Sequence, residues 1–181
     1  MTMNGAQSLV RTLVDADVEV LGTVLADLGA ADAYVLEGPS ARTLIEAREK
    51  AFWTAKAAGA DEVLDVVVPR SSLPDFLDAA QAAAARTGSG VVGCGHAGDG
   101  NVHLAVFQKD PDTRAALLHD IFAAGMALGG AISGEHGIGR AKKDHFLQLE
   151  DPVKIELMSR VKRAFDPAGI LNPGVLFGRE D

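Results

Sequence analysis

Hydrophobic positions divide the chain into short valine-rich runs and longer stretches of helical spacing. Leu21, Val24, Leu25 and Leu28 recur three and four apart with Gly29 behind them, which predicts a helix over 16–28. A brief apolar run predicts a strand over 33–36. Ser40 stands where it can cap a long helix to about residue 58, stopped by Gly59. Residues 62–68 are rich in valine and predict a strand closed by Pro69. Ser72 and Pro74 open an alanine-rich helix that runs to Arg86 and stops at Gly88. Strands are predicted over 91–94 and 102–107, on either side of Gly98-Asp99-Gly100. Asp110-Pro111 begins a helix to about residue 128, and 131–133 is a short strand. Helices follow over 138–147 and 152–165, the second capped by Asp151, and 166–174 forms a turn-rich strap.

Helices and strands alternate in the first half, an order that by itself suggests a parallel sheet. The connection between the strands around 94 and 102 is too short for a crossover and requires an antiparallel pair. The expected fold class is therefore α+β, an antiparallel sheet with helices packed on it. No repeat or low-complexity linker interrupts the order, so 1–181 is expected to form a single domain. Within 102–107, alternation puts His103, Ala105 and Phe107 on one face and Val102, Leu104 and Val106 on the other. His103 thus points away from three aliphatic residues, as suits a ligand facing a cavity.

Composition narrows the function classes. A chain of 181 residues, 48% hydrophobic, can bury one core. Its net charge of -8 argues against nucleic acid as a partner, because phosphate contacts need clustered Lys and Arg. No apolar run approaches the ~20 residues of a membrane span, and the first residues lack the pattern of a signal peptide, so a cytoplasmic setting is expected. The single cysteine, Cys94, agrees with a reducing compartment and is expected to be a small buried residue. Trp53 is expected to pack in the long helix, and His119 and His145 to lie on helix surfaces.

Two segments carry the candidate chemistry. One is His96-Ala97-Gly98-Asp99-Gly100-Asn101-Val102-His103, the other Ser133-Gly134-Glu135-His136-Gly137-Ile138-Gly139. Neutral imidazoles and a carboxylate suit zinc or a similar divalent ion at an open site, and the glycines permit tight backbone turns beside it. The spacing also allows a plainer arrangement, a hairpin whose imidazoles cap backbone groups, with Glu135 and His136 at a helix start. Asp99 and Asn101 are expected to bond local backbone in the turn.

These residues carry a resemblance. Gly95 to His103 is similar to the Gly-His-x-Gly-Asp-Gly-Asn-x-His signature of the C-terminal half of FAD-linked oxidases, the group of the glycolate oxidase flavoprotein subunit, D-lactate dehydrogenase and D-2-hydroxyglutarate dehydrogenase. Ser133 to Gly139 resembles its second signature, and Lys162-Arg163-Ala164-Phe165-Asp166-Pro167-Ala168-Gly169-Ile170-Leu171-Asn172-Pro173-Gly174 its closing one. The segment Ala47-Arg48-Glu49-Lys50-Ala51-Phe52 and the strand from Asp65 to Pro69 also fit. The resemblance implies a cap over an FAD held mainly by a separate N-terminal domain, which is not recognisable in this chain. It implies oxidation of a small D-2-hydroxy acid by hydride transfer to the flavin. By position, His96, His103 and Glu135 resemble ligands of a divalent metal, zinc or manganese, and His136 resembles the base that takes the hydroxyl proton. Arg48 resembles the arginine that pairs with the substrate carboxylate, and Asn172 a residue near the flavin.

Hydroxyglutarate-type members carry a lysine where this chain has Val63 and a polar residue where it has Ala105. These departures imply a glycolate- or lactate-sized substrate. Competing expectations are a non-catalytic module that binds a metal or hydroxy acid, a subunit of a split flavoenzyme, and an independent metal hydrolase. A chain without its flavin-binding half is expected to have little activity alone. It is also expected to expose apolar surface to a flavin-binding partner or to a second copy of itself.

Overall fold

The computed structural model describes residues 38–177 together with Asp27 and Gly29, and within that range not the side chains of residues 48, 49, 51 and 52. The helix expected over 16–28, apart from Asp27, and the strand over 33–36 lie outside the described residues.

The long helix expected to begin at Ser40 starts earlier and is divided. Helix α1 spans Gly38–Glu49 and α2 spans Ala51–Ala57, with Lys50 between them. Thr54 Oγ donates to the Lys50 carbonyl at 3.0 Å, alongside the Thr54 backbone N–H at 2.9 Å. Such back-bonding by threonine loosens a helical ladder. Ser40 lies inside α1 and is not its cap.

Strand β1 (Glu62–Val67) leads through a 3-10 turn at Arg70–Ser72 into α3 (Leu73–Arg86). Strands β2 (Gly90–His96) and β3 (Asn101–Phe107) form the expected hairpin. Helix α4 (Pro111–Ala127) is capped by Asp110, whose carboxylate accepts from the Thr113 N–H at 2.8 Å. Strand β4 is only Ala131–Ile132, because Ser133 turns to φ +71° and leaves the extended conformation. Helix α5 (Lys143–Leu149) starts five residues later than the periodicity predicts. Gly139, at φ +60°, adopts a left-handed conformation that breaks a helix, so Ile138 stays in the preceding turns. Helix α6 spans Pro152–Phe165, and Asp151 caps it by accepting from the Val153 N–H at 2.8 Å.

The four strands form one antiparallel sheet in the order β2-β3-β1-β4, as the α+β expectation requires. Leu64 opposes Leu104, Val66 opposes Val102, and Val91 opposes Val106. This apolar face packs against α3 and α4 through Phe76, Ala80, Leu117, Ile121 and Phe122, all at most 1% exposed. Gly125 lets α4 approach closely, since a Cβ there would stand 2.7 Å from the Val66 side chain. Burial of each large apolar side chain contributes roughly 1.5–3 kcal/mol, which holds the helices to one side of the sheet. The other face is left for chemistry.

Two further expectations are corrected. Cys94 is exposed because its strand lies at the sheet edge and its side points to the open face. Trp53 is 70% exposed. Among the described residues no helix is long and apolar enough to cross a membrane.

Candidate functional site

Strand register builds the site. His96 ends β2 and Asn101 begins β3 as its partner, while His103 sits between Cys94 of β2 and Asp65 of β1. His96, His103 and Asp65 therefore share the face opposite the core. The hairpin turn is closed by the Asp99 N–H on the His96 carbonyl at 2.9 Å. It is tied to the end of β1 by the Val68 N–H on the Gly100 carbonyl at 3.0 Å.

The second segment, Ser133 to Gly139, comes to this face directly after β4. Glu135 Oε1 lies 3.1 Å from His103 Nε2, 3.5 Å from His96 Nε2 and 3.7 Å from His136 Nε2. One ligand-type atom each from His96, His103 and Glu135 all fall within 4.8 Å of one another. The His103 and His136 rings stack at 4.8 Å with 13° between their planes, and His96 meets His103 edge-on at 5.4 Å. Glu135, His96 and His136 are half exposed, whereas His103 is largely covered. Burial holds the His103 imidazole below its ordinary value and outweighs the opposing pull of Asp65 and Glu135, so it stays neutral near pH 7.

Asp65 organises this arrangement, and the sequence reading assigned it no role. Its side chain is fully buried, and Oδ2 accepts from the Ser133 hydroxyl at 2.8 Å, the Glu135 N–H at 3.0 Å and the His136 N–H at 2.7 Å. Burial pushes the carboxyl up, but these donors outweigh it and bring the pKa down to about 2. Its other oxygen, Oδ1, faces His103 Nδ1 at 3.7 Å. The available signal was a carboxylate in the middle of a valine-rich strand.

Asn101 was expected to bond the turn but is 6% exposed and packs against the second segment. A Cβ on Gly134 would stand 2.5 Å from Asn101 Oδ1, so glycine is what permits this approach. Asp65 Oδ1, His103 Nδ1 and Asn101 Oδ1 are the buried side-chain polar atoms without a hydrogen-bond partner among the described residues. All three belong to the site face. Buried polar groups are nearly always paired, so their clustering at one place marks a functional region. Lys142, half-buried, donates to the Gly137 carbonyl at 3.3 Å, and burial lowers its pKa against the pull of Asp65 and Glu62.

The remaining candidates lie on other segments. Arg48 lies in α1, and its side chain is outside the described residues. Asn172 is exposed in the closing strap at φ +46°. That strap is held by Lys162, which bonds Asp166 and the Leu171 carbonyl, and by Arg140 on the Pro173 carbonyl at 3.1 Å. His119 and His145 are half-buried rather than on the surface, with ring centroids 5.9 Å apart.

Residues 7–176 match the family model described as FAD linked oxidases, C-terminal domain, and the chain belongs to this family. It is 65% identical over 162 residues to an uncharacterized FAD-linked oxidoreductase of Mycobacterium tuberculosis, covering 90% of this chain and 35% of that protein. It is 35% identical over 172 residues to a D-lactate dehydrogenase of Anaerostipes hadrus, covering 87% of this chain and 35% of that protein. A glycolate oxidase subunit of Bacillus subtilis is 35% identical over 143 residues, with 76% of this chain and 30% of the relative covered. The chain spans about a third of the length of these curated relatives.

Proposed function

We propose that this chain is the substrate-binding half of an FAD-dependent dehydrogenase or oxidase of small D-2-hydroxy acids, with His96, His103 and Glu135 as ligands of a divalent ion, zinc or manganese. The convergence of three ligand-type atoms from two distant segments carries this reading. Ligand atoms around a tetrahedral zinc with bonds of about 2.0–2.1 Å stand roughly 3.3 Å apart. The 3.1 and 3.5 Å separations from Glu135 to the two imidazoles fit that spacing. A neutral His103 also fits, since an imidazolium cannot be a ligand.

Such an ion would acidify a bound hydroxyl, and FAD, shared with a flavin-binding domain or subunit, would accept the electrons. His136, 49% exposed on its side chain and stacked on His103, is offered as the base that takes the hydroxyl proton. Arg48 is assigned to the substrate carboxylate, which a planar guanidinium can grip through both oxygens, and Asn172 to the flavin border.

Substrate size has its own support. Val63 and Ala105 are direct cross-strand partners, one pleat along from Asp65 and His103 on the same face. This pair offers no charge or hydrogen bond to a distal carboxylate and suits a glycolate- or lactate-sized acid.

The test is divalent-ion content and affinity of the purified chain, with the His96→Ala, His103→Ala double variant as control. Near one equivalent of zinc or manganese, lost in the variant, is expected. Absence of titratable metal overturns the ligand assignment.

A further inference from the structure

We propose that Asp65 is the positioning residue of this site, orienting His103 with one carboxylate oxygen and fixing the Glu135–His136 backbone with the other. What this orientation serves rests on the metal reading above, while the tie between the two segments does not. Three observations carry it. First, Asp65 is fully buried at the centre of β1, where an apolar residue would satisfy the sheet equally well. A buried carboxylate is retained only where its hydrogen bonds compensate its lost hydration.

Second, its two oxygens serve different partners. Oδ2 takes all three donors of the second segment, from Ser133, Glu135 and His136. The Asp65 carbonyl also accepts from the Ser133 N–H at 2.8 Å, so Asp65 holds both ends of the residue that turns left-handed at φ +71°. Third, Oδ1 takes none of these bonds. It and His103 Nδ1 are both buried and unpartnered, 3.7 Å apart. A closure of about 0.5–1 Å would make that contact a hydrogen bond.

A loop staple would need only Oδ2. The second oxygen gives Asp65 its further role, because a carboxylate at one imidazole nitrogen fixes ring orientation and tautomer. With its proton on Nδ1 toward Asp65, His103 turns the Nε2 lone pair toward His96 and Glu135.

Asp65→Asn separates the two roles. The amide oxygen can still accept from the second segment, while the NH2 group cannot accept from Nδ1–H. The expected result is a folded protein with zinc affinity reduced about 10–100-fold. Ser133→Ala, which removes one loop donor, should change affinity by less than about threefold. Imidazole 15N spectra give a readout independent of metal and of activity. They are recorded in the Glu135→Ala background, which removes the competing acceptor at Nε2. His103 should carry its proton on Nδ1 with Asp65 present and shift it toward Nε2 once Asp65→Asn is introduced.

Unchanged zinc affinity in Asp65→Asn overturns the proposal and leaves the metal reading intact. A chain that binds no zinc but shows the tautomer shift overturns the metal reading and supports Asp65 as the orienting group. A His103 protonated on Nε2 with Asp65 present overturns the proposal whether or not the asparagine variant folds.

Discussion

The two faces of the sheet are made by the same strands yet meet different requirements. On the helix side, Leu64, Val66, Val102, Leu104 and Val106 are all at most 6% exposed and belong to one apolar cluster. That face needs complementary shape, and its attraction is non-directional. On the site side, Asp65, His103 and Asn101 need partners at defined angles and distances. Those partners come from a segment 68 to 71 residues further along the chain from Asp65. The difference explains why the unpartnered buried atoms gather on one face. The helix side is built from apolar side chains, whereas the site side carries the buried polar atoms Asp65 Oδ1, His103 Nδ1 and Asn101 Oδ1.

The comparison can be broken most forcefully from the helix side. Phe76→Ala removes a fully buried ring beside Gly125 and should cost about 3–5 kcal/mol of stability. Zinc affinity of the folded fraction should not change. Urea denaturation with and without zinc separates these effects, and equal loss of stability and site would show that the faces are not independent.

An acid step probes the site side. The pKa of Asp65 in the fold, about 2, lies below its unfolded value. Its contribution is therefore fully present above about pH 4 and lost as pH falls toward 2, a change of about 2–3 kcal/mol. Asp166, also held at about 2 by its bond from Lys162 and by nearby backbone N–H groups, titrates in the same window. The readout is thus the difference in urea midpoint between the parent chain and Asp65→Asn across that range. Parallel pH profiles would remove Asp65 as a contributor.

The smallest effect is expected at the open edge. Val92 is 57% exposed on the site face of β2, next to Val91, which packs against the core. Val92→Ala should change stability by less than about 0.5 kcal/mol. A larger loss in thermal unfolding would mean that this part of the site face is covered in solution.

Much of this was legible in residue order. Period-two alternation through β3 separated His103 from the aliphatic face, and the short connection to β2 required an antiparallel pair. Asp110 and Asp151 marked the starts of α4 and α6 because capping depends on neighbours three residues away or fewer. His96, His103 and Glu135 were identifiable by residue type and by likeness to the family signatures. Other features were not local. The exposure of Cys94 depends on β2 being an edge strand with one open side.

The sequence by itself determined the antiparallel hairpin, the alternation of faces and the helix caps, since each follows from periodicity or from groups close along the chain. Only the tertiary structure decided that Asp65 sits behind His103, that Asn101 packs on Gly134, and that His136 stacks on His103. Those contacts depend on strand register and on a loop returning from far along the chain, and neither is encoded in any single stretch of residues.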